Sequence, residues 1–226
     1  MLIVNQLCGF GAGGVAPPSL IFLASGSVAA ATTTTISGVS FGAAAPGREI
    51  FVVFTTTTTT GSVGSVSIGG VSASVSFQAG ALPSNFGLVA VARATVPTGT
   101  SGNVVITYPV TPTAATEYAV YMVTGRASVG SGPADTAFTA TGTAATTAVM
   151  TSIDTPASGF VLAAVVSQSS VTPAISGAGL AINTPVTALR AFASSPVLTT
   201  ANSNVSATWT FTTSARCVCA AFSFSS

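Results

Sequence analysis

Two uninterrupted apolar segments constrain the fold of this chain more than any other feature. Residues 50–54 read IFVVF and follow the turn sequence PGRE, and residues 160–166 read FVLAAVV and follow the turn sequence TPASG. Runs of β-branched and aromatic residues without polar alternation are typical of strands that are buried on both faces. We therefore expect each segment to form a core strand that lies between two sheets.

A Thr-rich segment precedes each of these apolar segments. Residues 33–39 precede the first and residues 146–153 precede the second, so each Thr-rich segment is a candidate hairpin partner for the strand that follows it. This repeated arrangement indicates two related halves, at about residues 19–125 and 140–226, which together close one all-β core. We predict a single β-sandwich domain over residues 19–226.

Strand and turn signals continue through the rest of the chain. Residues 63–77 alternate apolar residues with Ser about the pair Gly69-Gly70, which predicts a hairpin. Residues 55–60 are six threonines that we expect to form an exposed strand end or loop, and residues 130–145 read as a polar connection. The other predicted strands are residues 20–24, 85–94, 103–108, 117–123, 187–193, 205–212 and 217–225.

No segment combines helix caps with an apolar stripe of helical period. Many short strands with regularly spaced turns predict an antiparallel β-sandwich of jelly-roll type. Many inward positions are Ala, Val or Gly, so we expect aromatic residues to supply most of the buried area. The expected core aromatics are Phe22, Phe51, Phe54, Phe77, Phe86, Phe160, Phe192, Trp209, Phe211, Phe222 and Phe224.

Charge is scarce in this chain. Charged residues make up 4% of the sequence, against about 25% in an ordinary soluble domain. The chain has no Lys and no His, and its five Arg are scattered, which argues against a nucleic-acid partner. A surface of Ser, Thr, Asn and Gln is poorly defended against association, so we expect a homo-oligomer or a protein partner that covers much of it.

Residues 1–18 resemble an extended N-terminal arm. Residues 1–7 are apolar and strand-like, residues 9–14 read GFGAGG, and two prolines close the segment. The alternative is a first strand of the sandwich itself. The apolar stretch is interrupted at residues 11–18 and falls short of the ~20 residues of a membrane-spanning helix, and no Lys or Arg opens a secretory signal. The candidate assembly residues are Leu2, Ile3, Val4, Leu7 and Phe10.

The three cysteines do not form a disulfide framework. Cys217 and Cys219 are two residues apart on a predicted strand, so they share one face at a separation of about 6.5–7 Å, at or beyond the limit for a disulfide. We interpret both as small buried hydrophobic residues. A bridge from Cys8 to either of them is the alternative.

The sequence contains no recognisable catalytic motif. The absence of His excludes Ser-His-Asp, Cys-His and His-ligated zinc sites. We interpret Glu49 and Glu117 as turn or strand-end charges. Asp135 and Asp154 could bind Ca²⁺ from loops, but no acidic calcium-loop pattern supports such a site. We therefore expect no enzyme activity, no metal and no cofactor.

Exposed aromatic side chains could instead stack on sugars. The candidates for such ligand stacking are Tyr108, Tyr118, Tyr121 and Trp209, with core packing as the alternative for each. An enzymatic alternative, a depolymerase or lyase, predicts that two acids, or an Arg with a Tyr, converge in a cleft, and Arg126 with Tyr121 is the pair that we nominate.

The chain resembles the small β-rich structural proteins of tailed bacteriophages. The opening LCGFGAGG at residues 7–14 is similar to their short N-termini. The strand order is similar too: a Thr-rich strand, the turn at residues 46–49, an apolar strand, a strand at residues 118–123 that ends in Gly125-Arg126, a second Thr-rich strand, and an apolar strand after Ser158-Gly159. The resemblance implies a virion component, and it carries over no catalytic residue.

These observations lead to one functional hypothesis and several alternatives. We expect a virion structural protein, a capsid decoration or a head or tail fibre component, assembled in many copies through its N-terminal arm on a major capsid or tail protein. The homo-oligomer could be a trimer. The main alternative is a carbohydrate- or receptor-binding adhesin module that recognises a host-surface glycan on behalf of the virion or a cell. A secreted bacterial surface protein is a further alternative.

Overall fold

A computed structural model describes residues 18–127, 129–187 and 189–225, without the side chains of residues 184–187. The predicted arm lies outside these residues, except for Pro18. The described residues contain seventeen strands and no helix, and every strand pair is antiparallel. The prediction of an antiparallel all-β protein is confirmed.

The strands fall into two consecutive groups. The first group is β1 Ser19–Val28, β2 Thr33–Ser40, β3 Glu49–Thr58, β4 Ser65–Ile68, β5 Val71–Ser72, β6 Ser74–Ala81, β7 Phe86–Thr95, β8 Ser101–Thr107 and β9 Thr116–Thr124. The second group is β10 Asp135–Ala140, β11 Ala145–Thr155, β12 Phe160–Ser167, β13 Pro173–Gly177, β14 Ala181–Thr187, β15 Arg190–Ser194, β16 Asn202–Ala215 and β17 Cys217–Phe224.

Each group forms one five-stranded sheet and one smaller sheet. Sheet A has the order β1-β9-β3-β7-β6 and sheet B the order β2-β8-β4-β5, while sheet C has the order β10-β17-β12-β15-β14 and sheet D the order β11-β16-β13. The two groups therefore repeat one strand order. In this repeat β1 corresponds to β10, β3 to β12, β7 to β15 and β9 to β17.

Three hydrophobic clusters hold the sheets in the order B, A, C, D. One cluster lies between sheets A and B, a second between sheets C and D, and a third between sheets A and C. The expected single core is thus divided into three layers. Phe51 and Val53 belong to the A/C cluster, whereas Ile50, Val52 and Phe54 belong to the A/B cluster. The prediction that this strand is buried on both faces is confirmed, and β12 is buried throughout in the same way.

Sheets A and C meet in a self-complementary way. Strand β3 packs on β12 at the centre, β1 lies against β14, and β6 lies against β10. Because β1 corresponds to β10 and β6 to β14, these two edge contacts are equivalent, as in an isologous dimer interface. Gly87 permits the close approach, since a Cβ atom there would lie 2.8 Å from Cγ2 of Val218.

The predicted hairpins between the Thr-rich and apolar strands are wrong. Strand β2 pairs with β8 in sheet B, while β3 pairs with β7 and β9 in sheet A. The two strands belong to different sheets because they differ in how many of their faces are buried. Strand β2 alternates buried and exposed residues and suits an outer sheet, whereas β3 is apolar on both faces and suits an inner one. The second half repeats this separation, with β11 in sheet D and β12 in sheet C.

The Gly69-Gly70 hairpin is confirmed. Ser67 lies opposite Ser72 across the turn, and the two glycines have φ values of 60° and 82°. A two-residue hairpin turn of this kind requires positive φ at both central positions, which glycine adopts without steric cost.

Several expected features differ in the structure. Three strands were not predicted because they lack apolar runs: β10, within the expected polar connection, and β13 and β14, which are all edge strands. The threonines continue β3 to Thr58 and are largely buried, because a sheet packs on each face of this strand. Phe77 and Phe86 are each 40% exposed instead of buried. Their face of sheet A continues beyond sheet B, so no second sheet covers them.

Candidate functional site

The charged side chains of this protein lie mostly inside it. Of its nine charged residues, six are buried and only Asp154 is exposed. Arg and Glu are almost never fully buried unless they are paired. The six buried charges are Arg48, Glu49, Arg93, Glu117, Arg126 and Arg190. The candidate sites are therefore the places where these residues reach the ends of the A/C interface.

Glu49 is the centre of a buried network at one end of this interface. Its Oε1 atom accepts hydrogen bonds from Nη1 of Arg93 at 3.2 Å and from the backbone N–H of Gly130 at 3.0 Å. Its Oε2 atom accepts a hydrogen bond from Nη1 of Arg126 at 2.5 Å. Arg93 also donates to the carbonyl oxygen of Gly130. Both carboxylate oxygens of Glu49 are therefore engaged within the network.

Arg126 connects this network to the second half of the protein. Its Nε atom donates to the carbonyl oxygen of Ser225 at 2.7 Å. Its guanidinium carbon lies 5.6 Å from the ring centroid of Phe51, 5.9 Å from that of Phe160 and 5.8 Å from that of Phe224. These rings contact one another across the interface. The aromatic cluster and the cation on it therefore bind sheet A to sheet C.

Arg48 is buried without a carboxylate partner. Its guanidinium group donates to four carbonyl oxygens, which belong to Gly42, Val96, Thr98 and Gly99, at 2.7–3.0 Å. Desolvation lowers the pKa of Arg48 from its ordinary value. The side chain joins the loop before β3 to the loop after β7, which is a structural role.

A second ion pair lies at the opposite end of the interface. Nη1 of Arg190, on β15, donates to Oε1 of Glu117, on β9, at 2.8 Å and so joins the two halves. Arg190 is 3% exposed, and its Nε atom has no hydrogen-bond partner among the described residues. Glu49 and Glu117 do stand at strand ends as predicted, but both are buried partners of arginines instead of solvated charges.

Arg190 also lines a cleft of about 240 Å³ between the two halves. The first half contributes the end of β3, the loop between β6 and β7, and the loop before β9. The second half contributes the end of β12 and the start of β15. The residues that line the cleft are Thr57, Leu82, Pro83, Ser84, Asn85, Ala114, Ser167, Gln168, Leu189 and Arg190.

A second cleft, at the Glu49 end of the interface, differs from the Arg190 cleft in its polar groups. It encloses about 210 Å³ and is lined by Glu49, Arg93 and Gly130 together with small residues of β5, β6 and β7. Its ion pair and the Gly130 backbone are bonded to one another. The Arg190 cleft therefore differs in containing a buried charged group with a free donor atom.

Three of the four predicted ligand-stacking aromatics lie in the core. Tyr108 is 1% exposed, and Tyr121 and Trp209 are fully buried, so none of them presents a ring face to a ligand. Core packing, the alternative to sugar stacking, is what the structure shows for these three. Tyr118 is half-buried and packs over Gly26.

Tyr121 and Arg126, the pair nominated for the enzymatic alternative, make different contacts. The Tyr121 hydroxyl donates to Oδ1 of Asn183 at 2.8 Å, and burial raises the pKa of Tyr121 above its ordinary value. Arg126 is bonded to Glu49 and Ser225. The structure does not bring the two side chains together as a reactive pair.

Asp135 and Asp154 lie on strands and bind backbone N–H groups. Asp135 accepts hydrogen bonds from the amides of Thr136 and Asp154 at 2.7 and 2.8 Å, and Asp154 accepts one from the amide of Asn204 at 2.6 Å. No group of three potential metal ligands from His, Cys, Asp and Glu occurs among the described residues. The part of the chain that the structure describes also contains no helix long and apolar enough to span a membrane.

Cys217 and Cys219 are buried free thiols in the C/D cluster. A hydrogen bond with Cys217 and burial raise the pKa of Cys219 above its ordinary value. Both residues behave as small core side chains. Cys8 lies outside the described residues, as do Leu2, Ile3, Val4, Leu7 and Phe10, the candidate assembly residues.

Sequence reasoning missed Arg190, Asn85 and Gln168 as members of one site. These residues come from separate loops and strand ends, and no local spacing links them. Comparisons of the chain with protein-family models, with curated proteins and with solved structures found no match.

Proposed function

We propose that this protein is a structural component of a tailed-bacteriophage virion, a capsid decoration or a head or tail fibre protein, and not an enzyme. It assembles in many copies and binds a major capsid or tail protein. In this proposal residues 1–16 anchor each copy to a neighbouring subunit, and copies associate as a homo-oligomer such as a trimer. The protein requires no cofactor, nucleic acid or membrane.

The inward placement of charge is the observation that supports this proposal most strongly. With six of nine charged side chains buried, the outer surface carries almost no charge to repel a neighbouring copy. Charge at the surface normally keeps proteins soluble and apart. A surface without it suits a protein whose working state is a packed assembly.

The outer faces of sheets B and D support the same conclusion. Short hydroxyl-bearing and small residues make up much of both faces. Thr33, Thr107 and Ser65 form one row across sheet B, and Thr147, Thr210 and Ala174 form the equivalent row across sheet D. Such faces pack against a neighbour at little cost in desolvation, because Asp154 on β11 is the one exposed charged residue of the protein and few charges have to leave water.

Edge strands and exposed apolar residues offer further contact positions. Each sheet has two edge strands, and unpaired strand edges accept an added strand from another chain. Among the residues that the structure describes, seven large apolar side chains are exposed, and most of them lie on edge strands or beside them. These residues are Ile21, Val71, Phe77, Phe86, Val129, Phe138 and Val149.

We also propose that each half is a β-sandwich of jelly-roll type. In the first half the chain alternates between two sheets, with β1, β3, β7 and β9 in sheet A and β2, β4 and β8 in sheet B, except that β5 stays in sheet B beside β4 and β6 lies in sheet A beside β7. This alternation is the pattern expected when one long hairpin is rolled into two facing sheets, an architecture found in viral capsid proteins. Fold alone does not establish function, so this similarity supports the proposal and does not carry it.

Deletion of residues 2–16 tests the anchoring role. The deleted protein should keep the all-β circular dichroism spectrum and melting temperature of the full chain, because residues 20–224 supply the three hydrophobic clusters in the part of the chain that the structure describes. It should no longer appear on particles grown with the variant gene. A variant with Ser substituted at Ala157, an exposed residue in the turn between β11 and β12, is the control and should incorporate normally. Normal incorporation of the deletion variant would refute the anchoring role.

The second candidate function is a carbohydrate- or receptor-binding module on the virion or on a cell. The burial of Tyr108, Tyr121 and Trp209 removes three of its four proposed stacking residues. The cleft at Arg190 is the observation that keeps this function under consideration, because it combines a free buried donor with exposed amide and hydroxyl groups.

A further inference from the structure

We propose that the cleft at Arg190 binds one neutral sugar residue of a glycan. This inference does not depend on the position of the protein in a particle and goes beyond a structural role. It rests on the free donor atom of Arg190, the neutrality of the cleft and the mixture of polar and apolar groups that line it.

Arg190 has a hydrogen-bond donor without an acceptor. Arg190 is 3% exposed, and its Nη1 atom is bonded to Glu117, while its Nε–H has no acceptor among the described residues. Buried donors are almost always satisfied in folded proteins, so an unsatisfied one that borders a cleft indicates an acceptor supplied from outside. Because Nε itself is covered in the unliganded protein, the Arg190 side chain has to turn toward the cleft before a ligand oxygen can accept this hydrogen bond.

The charge at the cleft is balanced. Glu117 lies 2.8 Å from Arg190 and balances its charge, and no other charged residue lines the cleft. An anion would find no uncompensated positive charge in this position. A neutral ligand with oxygen acceptors fits the cleft better than a phosphate or a carboxylate does.

The lining of the cleft combines amide groups with apolar surface. Asn85 and Gln168 each offer an amide donor and an amide acceptor, which is the combination that adjacent hydroxyl groups require. Leu82, Pro83 and Leu189 supply apolar surface for the C–H face of a ring. The volume of about 240 Å³ is below the roughly 300–1,000 Å³ of sites for drug-sized ligands, which limits the occupant to one ring.

The position of the cleft favours a glycan over a free metabolite. Ser84, Pro83 and Gln168 are exposed at its rim, so a sugar at the end of a longer chain could enter while the rest of the chain stays in solvent. The cleft is shared between the two halves, which both contribute residues to its lining.

Nuclear magnetic resonance titration of the full chain tests this inference. The probes are the methyl glycosides of glucose, galactose, mannose and N-acetylglucosamine, with glucuronate as a charged comparison. We expect saturable shifts of the side-chain amide signals of Asn85 and Gln168 with at least one neutral glycoside. Binding of glucuronate alone would overturn the assignment of a neutral ligand, and no saturable shift with any probe would overturn the site.

Two variants identify the groups that bind. Gln168→Ala removes an exposed amide, and Arg190→Lys keeps a cation for Glu117 but removes the Nε donor. Each should weaken binding by about tenfold, the usual effect of losing one well-placed hydrogen bond to a ligand. Asn202→Ala removes an amide on sheet D and should leave the affinity unchanged.

Gln168 is exposed, so Gln168→Ala should fold normally. This variant therefore still tests the site if Arg190→Lys is too unstable to measure. Wild-type affinity in Gln168→Ala, or an equal loss in Asn202→Ala, would overturn the proposed site. Neither result would affect particle incorporation, so failure of the sugar site is distinguishable from failure of the virion proposal.

Discussion

Tyr108 places a hydroxyl group in the A/B cluster. The hydroxyl is bonded to Oγ1 of Thr116 at 2.9 Å, and burial raises the pKa of Tyr108 to about 12. The ordinary pKa of tyrosine is about 10, so folding favours the neutral phenol. The corresponding stability is fully present below about pH 10 and is lost as the pH rises through about 12.

Tyr108→Phe should separate the contribution of the hydrogen bond to stability from the effect of ionising the phenol. At neutral pH the variant should lose about 1 kcal/mol of unfolding free energy with the hydrogen bond to Thr116. Between pH 10 and 12 its stability should fall less steeply than that of the wild type, by up to about 1.4 kcal/mol per pH unit. Urea unfolding at a series of pH values measures both effects.

Thr116→Val is the matched control for this prediction. It removes the same hydrogen bond but keeps the titrating phenol. Its loss of unfolding free energy at neutral pH should therefore be similar to that of Tyr108→Phe, while its unfolding free energy should fall with pH between 10 and 12 as steeply as that of the wild type. Equal alkaline slopes in Tyr108→Phe and the wild type would show that this tyrosine does not govern the alkaline limit.

The buried charges show what the sequence cannot reveal about single residues. The position of Glu49 at a strand end was predictable from the turn before it. Its partners are 44 and 77 positions away along the chain, and only the pairing of β3 with β7 and β9 brings them together. Glu117 and Arg190 are 73 positions apart and belong to different halves. No local pattern could have linked them.

At the level of strands, the predictable features were those with a local signature. The apolar β3 and β12 and the Gly69-Gly70 hairpin were evident because hydrophobic runs and glycine pairs have direct structural consequences. Strands β10, β13 and β14 were missed because edge strands need little apolar surface. The partners of β2 and β11 were missed because sheet membership depends on which faces are covered, and not on sequence proximity.

The Glu49 network couples β3 and β7 to the loop between β9 and β10. Glu49→Gln keeps the shape of the side chain but leaves Arg93 and Arg126 buried without their carboxylate. Loss of one partner from a buried ion pair costs about 3–5 kcal/mol, and we expect a decrease of that size in the unfolding free energy measured with urea.

Arg216→Gln provides the comparison for Glu49→Gln. Arg216 is half-buried and makes no ion pair among the residues that the structure describes, so its substitution should change stability by no more than about 0.5 kcal/mol. A loss in Glu49→Gln as small as that in the control would mean that the network contributes little.

At the level of the whole molecule, the chain is built as a fused pair of halves. The repeated strand order and the equivalent edge contacts give the A/C interface the character of a symmetric dimer interface within one chain. The cations and carboxylates that an ordinary protein displays on its surface are used at and near this interface. The outer sheets carry little exposed charge and are rich in threonine and serine, which is the basis of the proposed role in a multi-copy assembly.

The number of copies per particle tests this role most directly. Quantitative mass spectrometry of purified particles, from a phage that encodes this chain, measures copies relative to the major capsid protein. The proposal predicts a fixed copy number in every preparation. Hundreds of copies would indicate capsid decoration, and a handful would indicate a tail or fibre position. Absence of the protein from purified particles would contradict the proposed function.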